Sequence, residues 1–275
     1  MESDSPPPAV HITFITTIKI CKNYEWLIDS MVLYARNIDF YARKYDMTYE
    51  ILICEQVDDR NVCRIGDKVD LRRYGNVTVI ELDQTYPNPH GYNMIESYGK
   101  NACLALASGK FTCMTSADQV FSEEFFAFVS QHLKEGVFYR FATYEFPVSD
   151  IPFASIGVDH VLAICHSSRT RLCNGGCFDH PDRLNWLYLG EKSGDVMLLD
   201  TASFEYIKGW PESPYFGHMD TVVCIVATNN FPAFVPDKTV CTYTAEQKKR
   251  SGESHERQAW KFALQFADEK RKFCN

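Results

Sequence analysis

A series of short, almost uninterrupted apolar and β-branched runs constrains this chain most: HITFITTI from residue 11, YEILIC at 49–54, NVTVIEL at 76–82, FTCMT at 111–115 and VFYRFATY at 137–144. Strands covered on both faces read this way, whereas a strand with one wet face alternates. Segments with a different period lie between them. Residues 23–45 carry Trp26, Leu27, Met31, Ala35, Ile38 and Ala42 at helical spacing, with Asn23 placed to cap the first turn. Asn93 and Glu96 have capping-box spacing ahead of KNACLALA, a helix that Gly109 would end. Ser122 with Glu123 and Glu124 opens EEFFAFVSQHL, which Gly136 would close. Strands and helices alternating at these lengths predict a layered α/β sheet.

The regularity fades over 145–190 and returns as a strand, DVMLLD at 195–200, then a short helix, an apolar helix MDTVVCIVAT at 219–228 and a charged terminal helix from Glu253 to Lys272. The Ser/Pro-rich residues 1–10 read as a flexible leader, and 11–275 as one domain without an internal boundary. A net charge of -8, from 28 Lys plus Arg against 36 Asp plus Glu, disfavours nucleic acid as a partner. Neither a membrane span nor a secretion signal is legible. The 11 cysteines, several inside apolar runs, suit a reducing, cytoplasmic setting. Cys165, His166, Cys173, Cys177 and His180 are zinc-ligand types, yet CNGGC lacks the tight two-residue knuckle, so buried or free thiols are the expectation.

Open α/β sheets bind ligands beyond the carboxyl ends of their strands. Four polar places fall there: Thr16 with Thr17, Glu55, the triplet Ser116, Ala117 and Asp118, and the turn holding Asp220. TTIKICKNYE after the first strand contains no glycine, against the triphosphate loop of a nucleotidyltransferase, and no GxGxxG follows a strand, against a dinucleotide-binding oxidoreductase.

A run of blocks then appears in order: ITFITTIK, ILICEQ, YGKNACLALASGKFTCMTSADQVFS, LKEGVFYRFATYE, SGDVMLLDTASFEYIKGWPE and GHMDTVVC. In that order they resemble the GT-A glycosyltransferases, in particular a family-2-like subgroup of viral and microbial glycan-building enzymes. The resemblance implies a GT-A, Rossmann-like α/β fold, a mixed central sheet flanked by helices in a single domain. It also implies transfer of a sugar from a nucleoside-diphosphate donor, UDP first and GDP second, to a glycan hydroxyl, with inversion and with Mn2+ or Mg2+.

Carried onto this chain, the resemblance places Asp118 last in a DxD-like triplet, as the metal ligand, with Ser116 where a first carboxylate would stand. Thr16, Thr17 and Glu55 meet the base and ribose, Lys100 and Asn101 the phosphates or ribose, with Ser116 and Ala117 beside them. Gly194 and Asp195 in the SGD block, Trp210 and Glu212 in GWPE, and His218 in GHMD fall to the substrate pocket. Asp220 becomes the general base, with Glu212 as the alternative. A late histidine ligand is expected where CTYTAEQ has Thr244; His255 is near in sequence but in a predicted helix. The other reading is a decayed transferase scaffold that binds a glycan or a partner protein.

Overall fold

The computed structural model describes residues 11–22, 24–83, 94–146, 156–173, 196–212 and 219–245. Its first part is a parallel α/β layer. Strands β1 (Ile12–Ile18), β2 (Tyr49–Val57), β3 (Val77–Asp83) and β4 (Phe111–Met114) all run the same way, β4 beside β1, β1 beside β2 and β2 beside β3. Their carboxyl ends therefore share one edge. Beyond β4 the sheet continues through β9 (Met197–Asp200), β6 (Phe138–Arg140) and β10 (Ala233–Phe234), and β9 is antiparallel to both β4 and β6. A seven-stranded mixed sheet results.

Helices cover both faces. Helix α1 (Leu27–Lys44) buries Met31, Tyr34, Ala35, Ile38 and Tyr41 in a core shared with Phe14, Ile18, Ile53 and the aromatic cluster Phe121, Phe125 and Phe126. The opposite face holds Ile15, Cys54, Met114, Phe138 and Met197, covered by α3 (Glu96–Leu104) and α7 (Met219–Asn230). Shorter helices fill the connections: α2 (Ile65–Lys68), α4 (Glu123–Gln131), α5 (Val158–Ser168) and α6 (Thr201–Tyr206).

The expected start of α4 holds in detail: the Ser122 hydroxyl accepts the Phe125 N–H at 3.1 Å and caps the helix. Asp200, not singled out in the sequence, caps α6 by accepting from Ser203 N at 2.9 Å. Other expectations are corrected. VFYRFATY is two strands: the chain leaves the main sheet at Phe141 and continues as β7 (Ala142–Phe146) in a second sheet, ordered β5 (Val120–Phe121), β11 (Cys241–Ala245), β7 and β8 (Arg171–Leu172). An apolar run buried in either sheet carries no mark of the switch. NVTVIEL forms an edge strand with several exposed side chains rather than a strand covered on both faces. Helix α3 stops at Leu104, and α4 at Gln131, so neither Gly109 nor Gly136 ends a helix. The stretch over 158–168, where no regular period was read, is helical. Asn23, Asn93 and the terminal helix at 253–272 lie outside the described residues.

One close approach sets the position of α3. A Cβ at Gly99 would stand 2.2 Å from Thr17 Cγ2 and 3.1 Å from both Cys54 Sγ and Gln56 Nε2, so only glycine lets the helix lie this near to β1 and β2. Gly99→Ala should destabilise the chain by about 1–3 kcal/mol, the usual cost of overpacking, read as a lower denaturation midpoint.

Candidate active site

The turn after β4 carries Ser116, Ala117 and Asp118 over the shared edge. Thr115 N donates to the Ile15 carbonyl at 2.8 Å, extending the β1–β4 ladder, and the chain then turns into β5. Ala117 packs its methyl into the core, and Ser116 is half-buried. Asp118 is buried, and its Oδ2 accepts the Thr244 hydroxyl at 3.0 Å. Burial pushes its carboxyl above the ordinary aspartate range, opposed by the Thr244 hydroxyl and by backbone N–H groups of Asp118 and Ala245; the Glu96 charge adds to the upward push. Thr244 comes from β11, which is antiparallel to β5, so the second sheet delivers it to Asp118. The position where a late ligand was expected does meet the strand-end carboxylate, with a hydroxyl in place of an imidazole.

On the α3 side of the edge, Lys100 is buried between two partners. Its Nζ lies 3.1 Å from Glu96 Oε2, one helical turn back, and 4.0 Å from the centroid of the Trp210 ring. The Lys100 Nζ is thus held between an indole face and a carboxylate, the two kinds of partner that offset the cost of taking a cation out of water. Asn101 is committed to the backbone of Trp210: its Nδ2 donates to the Trp210 carbonyl at 2.8 Å and its Oδ1 accepts the Trp210 N–H at 2.8 Å. The same Nδ2 lies 3.2 Å from Glu212 Oε1. Asn101 thus fixes the GWPE turn. Gly209 before it has φ +62, and a Cβ there would stand 2.5 Å from Asn101 Oδ1.

Asp220 lies in the first turn of α7, half-buried, with Oδ1 accepting the Thr221 N–H at 2.8 Å. Its neighbours Met219, Val222 and Val223 belong to the same core cluster as Trp210, Cys103 and Leu104. Thr16 and Thr17 point to opposite faces. Thr17 meets α3, with Oγ1 3.5 Å from the Glu96 carbonyl, and Thr16 Oγ1 is buried without a hydrogen-bond partner among the described residues. Glu55 turns to the loop after β2, where Oε1 accepts the Ile65 N–H at 2.9 Å. Burial raises its carboxyl, and that N–H opposes the rise.

Glu96 was read only as part of a capping box. In the structure Ile95 takes the cap position without a side-chain bond, and Glu96 instead pairs Lys100. The spacing of four between them was the legible signal. Gly194, Asp195 and His218 lie outside the described residues, as do Cys177, His180 and His255. Of the zinc-type cluster, Cys165 is buried in the second sheet's core and His166 Nδ1 lies 3.2 Å from the Tyr243 hydroxyl. Among the described residues no helix is long and apolar enough to cross a membrane.

No protein-family model and no curated protein matches the chain. Solved structures do. S. aureus TarS 1-349 in complex with UDP superposes with a TM-score of 0.57 at 11% identity, covering 94% of this chain and 64% of that one. The same fragment in complex with UDP-GlcNAc gives 0.54 at 13% identity over 88% of this chain, and S. aureus TarS itself gives 0.54 at 13% over 93%. The chain spans about 60% of the length of the TarS fragment and 43% of TarS. Identity this low establishes architecture and no more, and that architecture, a seven-stranded mixed sheet flanked by helices with its polar edge at β1, β2 and β4, is the GT-A glycosyltransferase fold.

Proposed function

We propose that this chain is a nucleotide-sugar-dependent glycosyltransferase, transferring a sugar from a nucleoside diphosphate to a glycan hydroxyl with inversion. One observation carries the reading: a buried carboxylate, Asp118, stands in the turn beyond β4 of a GT-A sheet, held by Thr244 from the second sheet. UDP is the first choice of donor, in keeping with the TarS complexes, and GDP the second.

Mn2+ or Mg2+ suits the residues present. Asp118 and the Thr244 hydroxyl are hard oxygen donors, and magnesium is commonly held by one or two carboxylates plus substrate phosphates. Bound there, the cation would neutralise charge growing on the departing diphosphate. Asp118 would hold it, and Lys100, beside the Trp210 ring, is placed to add a positive group at the same edge. Asp220 takes the proton from the acceptor hydroxyl, which fits a single in-line displacement and hence inversion. Asn101 acts through Trp210, whose backbone it clamps on both sides. A binding protein on a decayed scaffold is the alternative, kept by the absence of a first acidic residue at Ser116.

Thermal unfolding with UDP or GDP, with and without manganese, tests the reading, because a ligand that binds only the native state raises the melting temperature. A manganese-dependent rise with UDP is expected, and no rise with either nucleotide contradicts the proposal. The effect has a definite pH sign. Cation binding needs ionised Asp118, whose pKa burial raises, so the manganese-dependent rise should shrink as pH falls through that raised value. Without ligand, the Asp118 contribution to stability runs the other way: it is fully present below the ordinary aspartate pKa and is lost as pH rises through the raised one.

A further inference from the structure

Arg140, the last residue of β6, is fully buried, yet only one of its guanidinium nitrogens has a hydrogen-bond partner among the described residues. Nη1 donates to the Val196 carbonyl at 2.9 Å, while Nε and Nη2 have none. Those two nitrogens are the informative pair. The Nε–H and one N–H of Nη2 point side by side, forming the fork that meets two oxygens of one carboxylate or phosphate. A buried guanidinium with an empty fork is costly, and a long apolar side chain would serve the fold better unless an oxyanion arrives.

The ladder fixes where that fork lies. Because β9 is antiparallel to both β4 and β6, β6 runs with β4, and Arg140 ends it at the ligand edge in one row with Met197 and Met114. Phe138 and Met197 belong to the cluster of Trp210, Met219 and Val222, so alternation puts Arg140 on the face that α7 covers, with Asp220 in its first turn. Strand β6 is two strand spacings, about 10 Å, from β4, on the side of it away from β1 and β2 and so away from the residues assigned to the donor.

We propose that Arg140 is an oxyanion receptor that grips a carboxylate or phosphate carried by the sugar acceptor. Assigning the anion to the acceptor rests on the transferase reading; the receptor itself does not. The test is thermal unfolding of the full chain at fixed ionic strength with glucuronate, glucose 6-phosphate or neutral glucose, on wild type, Arg140→Met and Arg140→Lys. At about ten times its dissociation constant, an anionic sugar should raise the wild-type melting temperature by about 3 °C, and glucose should not. Whether glucuronate or glucose 6-phosphate does so tells carboxylate from phosphate.

Arg140→Met should melt at or above wild type and lose the shift, while Arg140→Lys, with the charge but not the fork, should need about tenfold more anion. No shift in wild type, or an equal shift in Arg140→Met, overturns the proposal. So does an Arg140→Met chain melting far below wild type, because that marks a broken internal ion pair. UDP and GDP with manganese serve as separate arms: if neither nucleotide stabilises wild type while an anionic sugar succeeds, the nucleotide-sugar reading falls and the receptor stands.

Discussion

Asp220→Asn is expected to lower turnover by about two to four orders of magnitude, the range for lost general-base help, with donor affinity little changed. The substitution removes one charge from the first turn of α7 and leaves an amide oxygen able to accept the Thr221 N–H that Asp220 Oδ1 accepts now. Stability should therefore fall only slightly, by the loss of a favourable charge near a helix N-terminus, about 0.3–1 kcal/mol. Turnover is measured as product formed at saturating donor with a matched acceptor. A purely structural Asp220 would give near-normal turnover in the variant. The product's anomeric configuration is a second readout, and retention would remove Asp220 from this role.

Asp118→Asn should cut transfer about 100-fold or more, the scale seen when one preorganised group is removed from a developing charge. Here donor binding in manganese should weaken too, which separates this variant from Asp220→Asn. The fold should tolerate the change: burial already opposes the Asp118 charge, and an amide oxygen can still accept from Thr244. The variant should also lose the Asp118 contribution to the pH dependence of stability. An Asp118→Asn chain that binds donor in manganese like wild type contradicts the metal-diphosphate assignment.

The parallel layer was legible because ITFITTI, ILIC and FTCM are each buried along their full length, so hydrophobicity and β-branching spoke without competition. The switch at Phe141 was not, because either side of it is apolar and the choice of sheet depends on partners far away in sequence. Asp118 could be singled out from strand-end logic, and Thr244 from its place in CTYTAEQ, although no spacing could have told that the two side chains touch. Lys100 was ambiguous for a different reason. A lysine on a short helix reads the same whether solvated or buried, and the Trp210 ring that covers it lies 110 residues further on. Arg140, within the apolar run VFYRFATY, was not singled out at all; only full burial with an empty fork gives it meaning.

The most direct test of the central claim is release of UDP from a UDP-sugar by the purified chain in manganese, with wild type, Asp118→Asn and Asp220→Asn measured side by side. The nucleotide-sugar reading predicts UDP release by wild type, increased by a suitable acceptor and nearly abolished in both variants. No release from any UDP- or GDP-sugar, or equal release by wild type and Asp118→Asn, would contradict it.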